Sequence, residues 1–306
     1  MKKKALSLVL ALVLALSMAA CGNNASSGTD NNQDTSETSS QTVDSSQASE
    51  IQSEGSGAEE ETAEESDLAY VQDKGTLVVG ITYFDPMDYK EEGSDEWIGF
   101  DADMAKAFAE SLGVDVEFIE ITWDYKVEEL DSKSIDAVWN GMTLTDEVKS
   151  AMATSTPYCT NYQVLVYPGD KAADFEGLTT LEGLNIAVES GSAGEDAAVA
   201  LNAATVPVQS QANALMEVSA GTADAAVIDV LMAAAMTGEG TSYEGLSYSL
   251  NLNEAQGLES EEYGVGFRKG SDLVEAFNEF WAEKSADGTV EEVAATYGLQ
   301  DAVILE

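Results

Sequence analysis

The sequence predicts an α/β fold of two similarly built lobes, each a mixed β-sheet with flanking helices. Two observations carry this. From about residue 70 onward, short β-branched runs alternate with amphipathic helical stretches, the pattern of βαβ units around a largely parallel sheet. The pattern then restarts, and "EELDSKSIDAVWN" is echoed by "MEVSAGTADAAVID". Each copy runs helix, small turn, "DA" and an apolar strand, ending in Asn140 or Asp229.

Residues 1–20, "MKKKALSLVLALVLALSMAA", join three lysines, an uncharged apolar stretch and small residues, the composition of a secretory signal. The apolar stretch is short for a membrane span. With Cys21 next in line, "MAAC" resembles the bacterial lipoprotein signal. That resemblance implies cleavage before Cys21 and a diacylglyceryl group on its thiol; a plain signal or an uncleaved anchor is the alternative. Residues 21–67 read as a disordered acidic tether. Their twelve acids, with no base and no aromatic residue, cannot bury enough surface to offset ordering, and like charges extend the chain.

Lobe 1, residues 68–167, opens with the strand "GTLVVGIT". In "GFDADMAKAFAESLG", Phe100, Met104, Phe108 and Leu112 recur every four residues, with Asp101 as N-cap and Gly113 as stop, so an amphipathic helix is expected. Strand "VDVEFIEI", helix "DYKVEELDS", strand "IDAVWNG", helix "TDEVKSAM" and strand "YQVLVYP" follow. In lobe 2, residues 168–262, strands "LNIAVES", "ATVPVQS" and "DAAVIDV" alternate with helices "GSAGEDAAVALN", "QANALMEVSAG" and "LMAAAMTG". Residues 263–306 return to lobe 1 through "YGVGFRKGSD" and two helices, whose Phe277, Phe280 and Trp281 stripe reads as core packing.

Composition narrows the function. Of the formal net charge of −44, removing three signal lysines and twelve tether acids leaves ten bases against 45 acids, about −35. Nucleic acid is therefore excluded as a partner. The absence of histidine excludes a Ser-His-Asp triad, a Cys-His pair and most zinc sites, so neither metal nor cofactor is expected. Cys159 is the sole cysteine after Cys21 and Arg268 the sole arginine.

"GTLVVGIT", "WIGFDADMAKAFAESLGVDVEFI", "IDAVWNGMTLTDE", "GLNIAVESGSAGED", "GTADAAVIDV", "YGVGFRKGSDL" and "DGTVEEVAATYG" follow in this order across residues 70–300. Together they resemble the family 3, polar-amino-acid class of extracytoplasmic solute-binding proteins, which deliver ligands to ABC importers. The resemblance implies a periplasmic-binding-protein-like fold, its lobes joined by a two-strand hinge crossing near Tyr167 and near Tyr263. It implies a monomer that is not an enzyme and that closes over an amino acid or related small amine. The importer's permease and the membrane, through lipid on Cys21, are the other partners expected on the outer face of the cell membrane.

The resemblance also implies a ligand site. In "NGMTLTDE", Asn140 faces the cleft and Gly141 permits close backbone approach. The backbone of Gly141, Met142 and Thr143 faces in, and the Thr143 hydroxyl donates to a carboxylate or accepts from an ammonium. Phe84 matches an aromatic that stacks on ligand, Trp123 a second cleft aromatic or a core residue, and Asp229 the acid that pairs with an ammonium. Ser190 and Ser192 are candidates for anion or hydroxyl contacts. Thr145 reads as a helix N-cap.

Val148 departs from the pattern. Relatives that bind α-amino acids carry an arginine there, forking onto the ligand carboxylate. Glu189 stands where some relatives present a lysine, so the cleft loses a cation and gains an anion. Three explanations remain open at this level. Lys149, or helix N-terminal amides of the second lobe, supply the clamp. Alternatively the ligand lacks a carboxylate and sits in an acidic, aromatic box of Asp229, Glu189, Phe84 and Trp123. Or the register is off by one, placing Lys149 at the arginine's position. Two alternatives to an importer component are a ligand-sensing lipoprotein and a dehydratase- or transglycosylase-type enzyme on the same fold, with Glu189 or Asp229 as general acid or base.

Overall fold

A computed structural model describes residues 66–257 and 260–305. Cys21, the signal and all of the expected tether except Ser66 and Asp67 lie outside the described residues. The first lobe contains β1 (Thr76–Ile81), β2 (Asp115–Glu120), β3 (Ala137–Val138) and β4 (Ala153–Thr154), and β5 (Cys159–Asn161) leaves it. The second contains β6 (Gln163–Pro168), β7 (Asn185–Glu189), β8 (Ala204–Val208), β9 (Ala225–Asp229) and β10 (Leu246–Asn251). Then β11 (Glu261–Tyr263) returns and β12 (Gly266–Phe267) re-enters the first sheet.

The two sheets share one plan. Their orders are β2-β1-β3-β12-β4 and β8-β7-β9-β6-β10, and in each the first three strands are parallel while the fourth, fed by the crossing, is antiparallel. The echoed "DA" pairs have a matching job. Asp136 accepts from the Val78 amide at 2.8 Å and Asp224 from the Asn185 amide at 2.9 Å, closing each third strand onto the first.

β5 and β11 form their own antiparallel ladder, with Asn161 opposite Glu261 and Cys159 opposite Tyr263. The chain therefore changes sheets between Asn161 and Gln163, ahead of the crossing expected near Tyr167. Tyr167 lies inside the second sheet, paired with Ser247. Three residues of hinge carry no hydrophobic signature of their own, whereas "QVLVYP" is one continuous buried strand.

Helix Phe100–Leu112 starts from Gly99, not Asp101, and ends on a left-handed Gly113. Asp101 is instead buried in the first turn, accepting from the Gly141 amide and the Tyr158 hydroxyl, both at 2.7 Å. Those two donors draw the side chain into the core, away from the helix end. The Phe100, Met104 and Phe108 face packs under helix Leu273–Asp287, with Phe108 edge-on to Phe277 at 5.6 Å. Large aromatic areas on both sides make this the cover of the first lobe.

The described residues begin at Ser66, which caps helix Asp67–Lys74. Asp67 receives Arg268 Nε at 3.0 Å, and the same guanidinium reaches Asp136 at 3.2 Å and the Ile135 carbonyl at 2.7 Å. The only arginine thus fastens the N-terminal helix to β3 and β12. Replacing it by methionine leaves buried Asp67 without a cation and Asp136 with Lys74 alone, which costs roughly 3–5 kcal/mol. Urea unfolding of Arg268→Met is expected to show that loss, with affinity for any ligand unchanged in the fraction that remains folded.

Candidate ligand-binding site

Between the lobes lies a cavity of about 440 Å³ at the C-terminal ends of β3 and β9. Parallel strands end there and helix N-termini point inward, which is where α/β sheets place ligands. The first lobe supplies an apolar wall of Trp123, Met142, Val148 and Met152, packed as one cluster. The second supplies Gln163, Ser192, Gln211 and Asp229.

Asp229 is the centre of the floor. It ends β9 opposite Gln163, the first residue of β6. Gln163 Nε2 donates to its Oδ1 at 2.8 Å, Asn161 donates to the same oxygen, and Gln211 donates to Oδ2 while accepting from the Asp229 amide. Asn161 and Gln163, two residues apart on an extended chain, project to one side. Both also donate to Glu261 Oε2, at 3.1 and 2.9 Å, and Thr143 reaches that oxygen at 3.1 Å. One polar network therefore ties the first lobe, the hinge and the second lobe together. Asn161, Gln163, Gln211 and Glu261 escaped the sequence reading; the alternation in "NYQVLV" is the one signal that pointed to the first two.

Trp123, Asn140, Gly141, Met142, Thr143, Val148, Ser192 and Asp229 all line the cavity. Several do different work from that expected. Asn140 accepts from the Thr82 amide and hydroxyl and donates to the Thr82 carbonyl and to Asp88, so its hydrogen-bonding capacity is filled by the frame. The Gly141 amide is held by Asp101, and the Met142 carbonyl accepts from Gly264 at 3.0 Å. Those two groups face the frame rather than the cleft. Gly141 has φ +56, and a Cβ there would lie 2.5 Å from the Phe84 ring, so its close approach is to an aromatic of its own lobe.

Phe84 does not line the cavity: it is 1% exposed and meets Tyr263 edge-on. Trp123 is both cleft wall and core, which joins its two expected roles. Ser190 stays outside the lining and donates its amide to Val208, while Ser192 caps helix Ala193–Ala200. Glu189 is buried at the end of β7 and is likewise outside the lining, with Oε1 lacking a hydrogen-bond partner. Lys149 is exposed and absent from the cavity wall, whereas Thr145 caps helix Asp146–Ala151 through the Val148 amide.

The cation in the cavity is Lys126, a residue the sequence reading passed over. It opens helix Lys126–Asp131, is 9% exposed, and lies 5.0 Å from the centre of the Trp123 ring. Burial lowers its pKa, offset by Glu189 and other nearby acids. The surrounding carboxyls move the opposite way. Burial raises Asp229 to about 7, with Glu261 adding to the effect, and raises Glu189 to about 8.

Two lobes on duplicate sheets, with a polar pocket between their strand ends, define a solute-binding fold. The chain belongs to the bacterial extracellular solute-binding proteins, family 3, whose description matches residues 77–300. It is similar to the L-cystine-binding protein TcyJ of Escherichia coli (strain K12), 31% identical over 238 residues, which span 75% of this chain and 85% of that protein. A crystal structure of an ArgBP mutant from T. maritima superposes with a TM-score of 0.68 at 30% identity, covering 76% of this chain and 99% of that one. The ancestral amino acid-binding protein AncCDT-1, a precursor of cyclohexadienyl dehydratase, gives 0.67 at 31% identity over 76% of this chain and 99% of that one.

Asp88, Asp101, Glu189 and Asp229 all lie above the usual carboxylate range because burial disfavours their charge. An unfolded chain ionises them near pH 4, but the fold keeps Glu189 protonated to about 8. Their contribution to stability is therefore full below about pH 4 and declines as pH rises toward 8, by at most about 1.4 kcal/mol per pH unit for each group. Thermal unfolding of the ligand-free protein is expected at lower temperature at pH 8 than at pH 5. Glu189→Gln should flatten that slope.

Proposed function

We propose that the protein is the substrate-binding lipoprotein of an ABC importer, capturing an amino acid or related small amine between two closing lobes. Family membership supports the importer role, and relatives that bind cystine or arginine support the ligand class. The observation that carries the reading is Asp229: a buried carboxylate, oriented by three neutral amide side chains, on the floor of the interlobe cavity. Neutral donors aim the carboxylate without neutralising it, leaving an ammonium as the complementary charge. Thr143 is the ligand contact on the first-lobe side, and Ser192 with its helix the contact on the second. Lipid on Cys21 would hold the domain at the outer face of the membrane.

Closure follows from the hinge. The only ladder between the sheets among the described residues is β5 with β11, and ligand contacts from both sides favour the closed state by their differential affinity. An enzymatic reading has one observation in its favour: Glu189 is held protonated to about 8 beside the cleft. Turnover of a small cyclic acid, abolished by Glu189→Gln, would support it.

Calorimetry with a panel of amino acids and amines is expected to find a micromolar or tighter ligand. Asp229→Asn should weaken it by about 30-fold or more, as for one partner of a desolvated charge pair. Because the ionised form of Asp229 binds an ammonium, affinity should be level above about pH 7 and fall below it, by up to about tenfold per unit. Small-angle scattering should show compaction at saturating ligand; an unchanged radius refutes the hinge.

A further inference from the structure

Val148 leaves helix Asp146–Ala151 without a cation directed into the cavity, and Lys149 lies outside the wall. Lys126 enters the same cavity from the neighbouring helix. Its ammonium donates to the Trp123 carbonyl at 3.3 Å and to the Gly191 carbonyl at 3.1 Å. An ammonium has three donors, so one remains. Among the described residues, no carboxylate oxygen lies within ion-pair distance of it, although Asp124, Glu128, Glu147 and Asp196 all line the cavity. A nearly buried cation resting on two carbonyls has yet to meet a full negative charge.

Gly191 belongs to the opposite lobe, directly before Ser192 and helix Ala193–Ala200. At its start Ser192 takes the Glu195 amide and the Glu195 carboxylate takes the Gly191 amide at 2.8 Å, which leaves the Ala193 and Gly194 amides, and Ala193 lines the cavity. The turn is close to the first lobe: a Cβ on Gly191 would lie 2.7 Å from an Asp124 carboxylate oxygen. Lys126 and the helix N-terminus therefore converge on one place from two lobes.

We propose that Lys126, together with the N-terminal amides of helix Ala193–Ala200, clamps the α-carboxylate of a zwitterionic ligand whose ammonium is held at Asp229. The inference rests on the binding-protein reading above and narrows its ligand to α-amino acids over carboxylate-free amines. The cation missing at position 148 has moved to position 126. A lysine offers one free donor where an arginine offers a planar fork, so direction comes from the helix amides and charge from Lys126. Its bond to Gly191 forms only when the lobes approach, so carboxylate capture and closure favour each other.

The test compares acids with their decarboxylated counterparts, L-arginine with agmatine and L-histidine with histamine, and adds L-cystine with cystamine. Calorimetry on the wild type, Lys126→Met and Lys126→Met/Val148→Arg is paired with thermal melts to establish folding. The wild type is expected to prefer at least one acid over its amine by about 30-fold or more. Lys126→Met should remove that preference while amine binding holds or improves, and Val148→Arg should restore part of it. An unchanged acid-to-amine ratio in Lys126→Met, or a wild type that binds amines as tightly as acids, overturns the clamp and leaves the binding protein standing. A wild type that binds none of the six compounds overturns both.

Discussion

A carboxylate removed from water with no cation beside it is the constraint on which the cleft depends. Asp229 sits at the end of a central parallel strand, and its charge is disfavoured there to the point that its pKa reaches about 7. On the proposed reading, the ammonium of a ligand completes it. The amides of Asn161, Gln163 and Gln211 hold both oxygens in place but cannot supply the missing charge. Asn161 lies in the ladder that joins the lobes and shares Glu261 with Thr143 of the first lobe, so on the proposed reading occupancy at Asp229 would act on the connecting strands.

The same scarcity of cations explains how the frame is built. Ten bases serve residues 68–306 against 45 acids, and the one arginine is placed at the root of the first sheet, outside the cavity lining. There it joins three segments distant in sequence, which a planar group with five donors does better than a lysine. Lys74 adds a second contact to Asp136. The cavity is left with several acids and one lysine, so any ligand meets a field that attracts cations everywhere except at Lys126.

Much of the fold was legible because period and punctuation agree. β1, β7 and β9 are β-branched runs, and helix Phe100–Leu112 shows its buried face every fourth residue. The repeated "DA" unit announced two lobes, and both acids close the same joint. What escaped was set by tertiary contact. β5 is too short to have a period, and Asp101 was taken from the helix cap by the Gly141 amide and Tyr158. Ser66 and Asp67 look like tether until Arg268 is seen to hold one of them. In the site, Thr143, Ser192 and Asp229 line the cavity, whereas Phe84 is covered by its own lobe because Gly141 lets the backbone descend onto it. Lys126 was hidden by its surroundings in sequence: in "WDYKVEEL" a lysine among acids reads as a solvated helix face.

That position also accounts for the valine. Val148 packs with Trp123, Met142 and Met152 into an uncharged wall, and Lys126 rests against it over the Trp123 ring. An arginine at 148 would place a second cation in the same small cavity as Lys126, and two like charges in a desolvated space repel strongly. From position 148, a cation would leave from the first-lobe helix that Thr145 caps. From position 126 it rests on Gly191 across the cleft. On the proposed reading, a cation at position 126 thus couples carboxylate capture to a bond made only when both lobes meet.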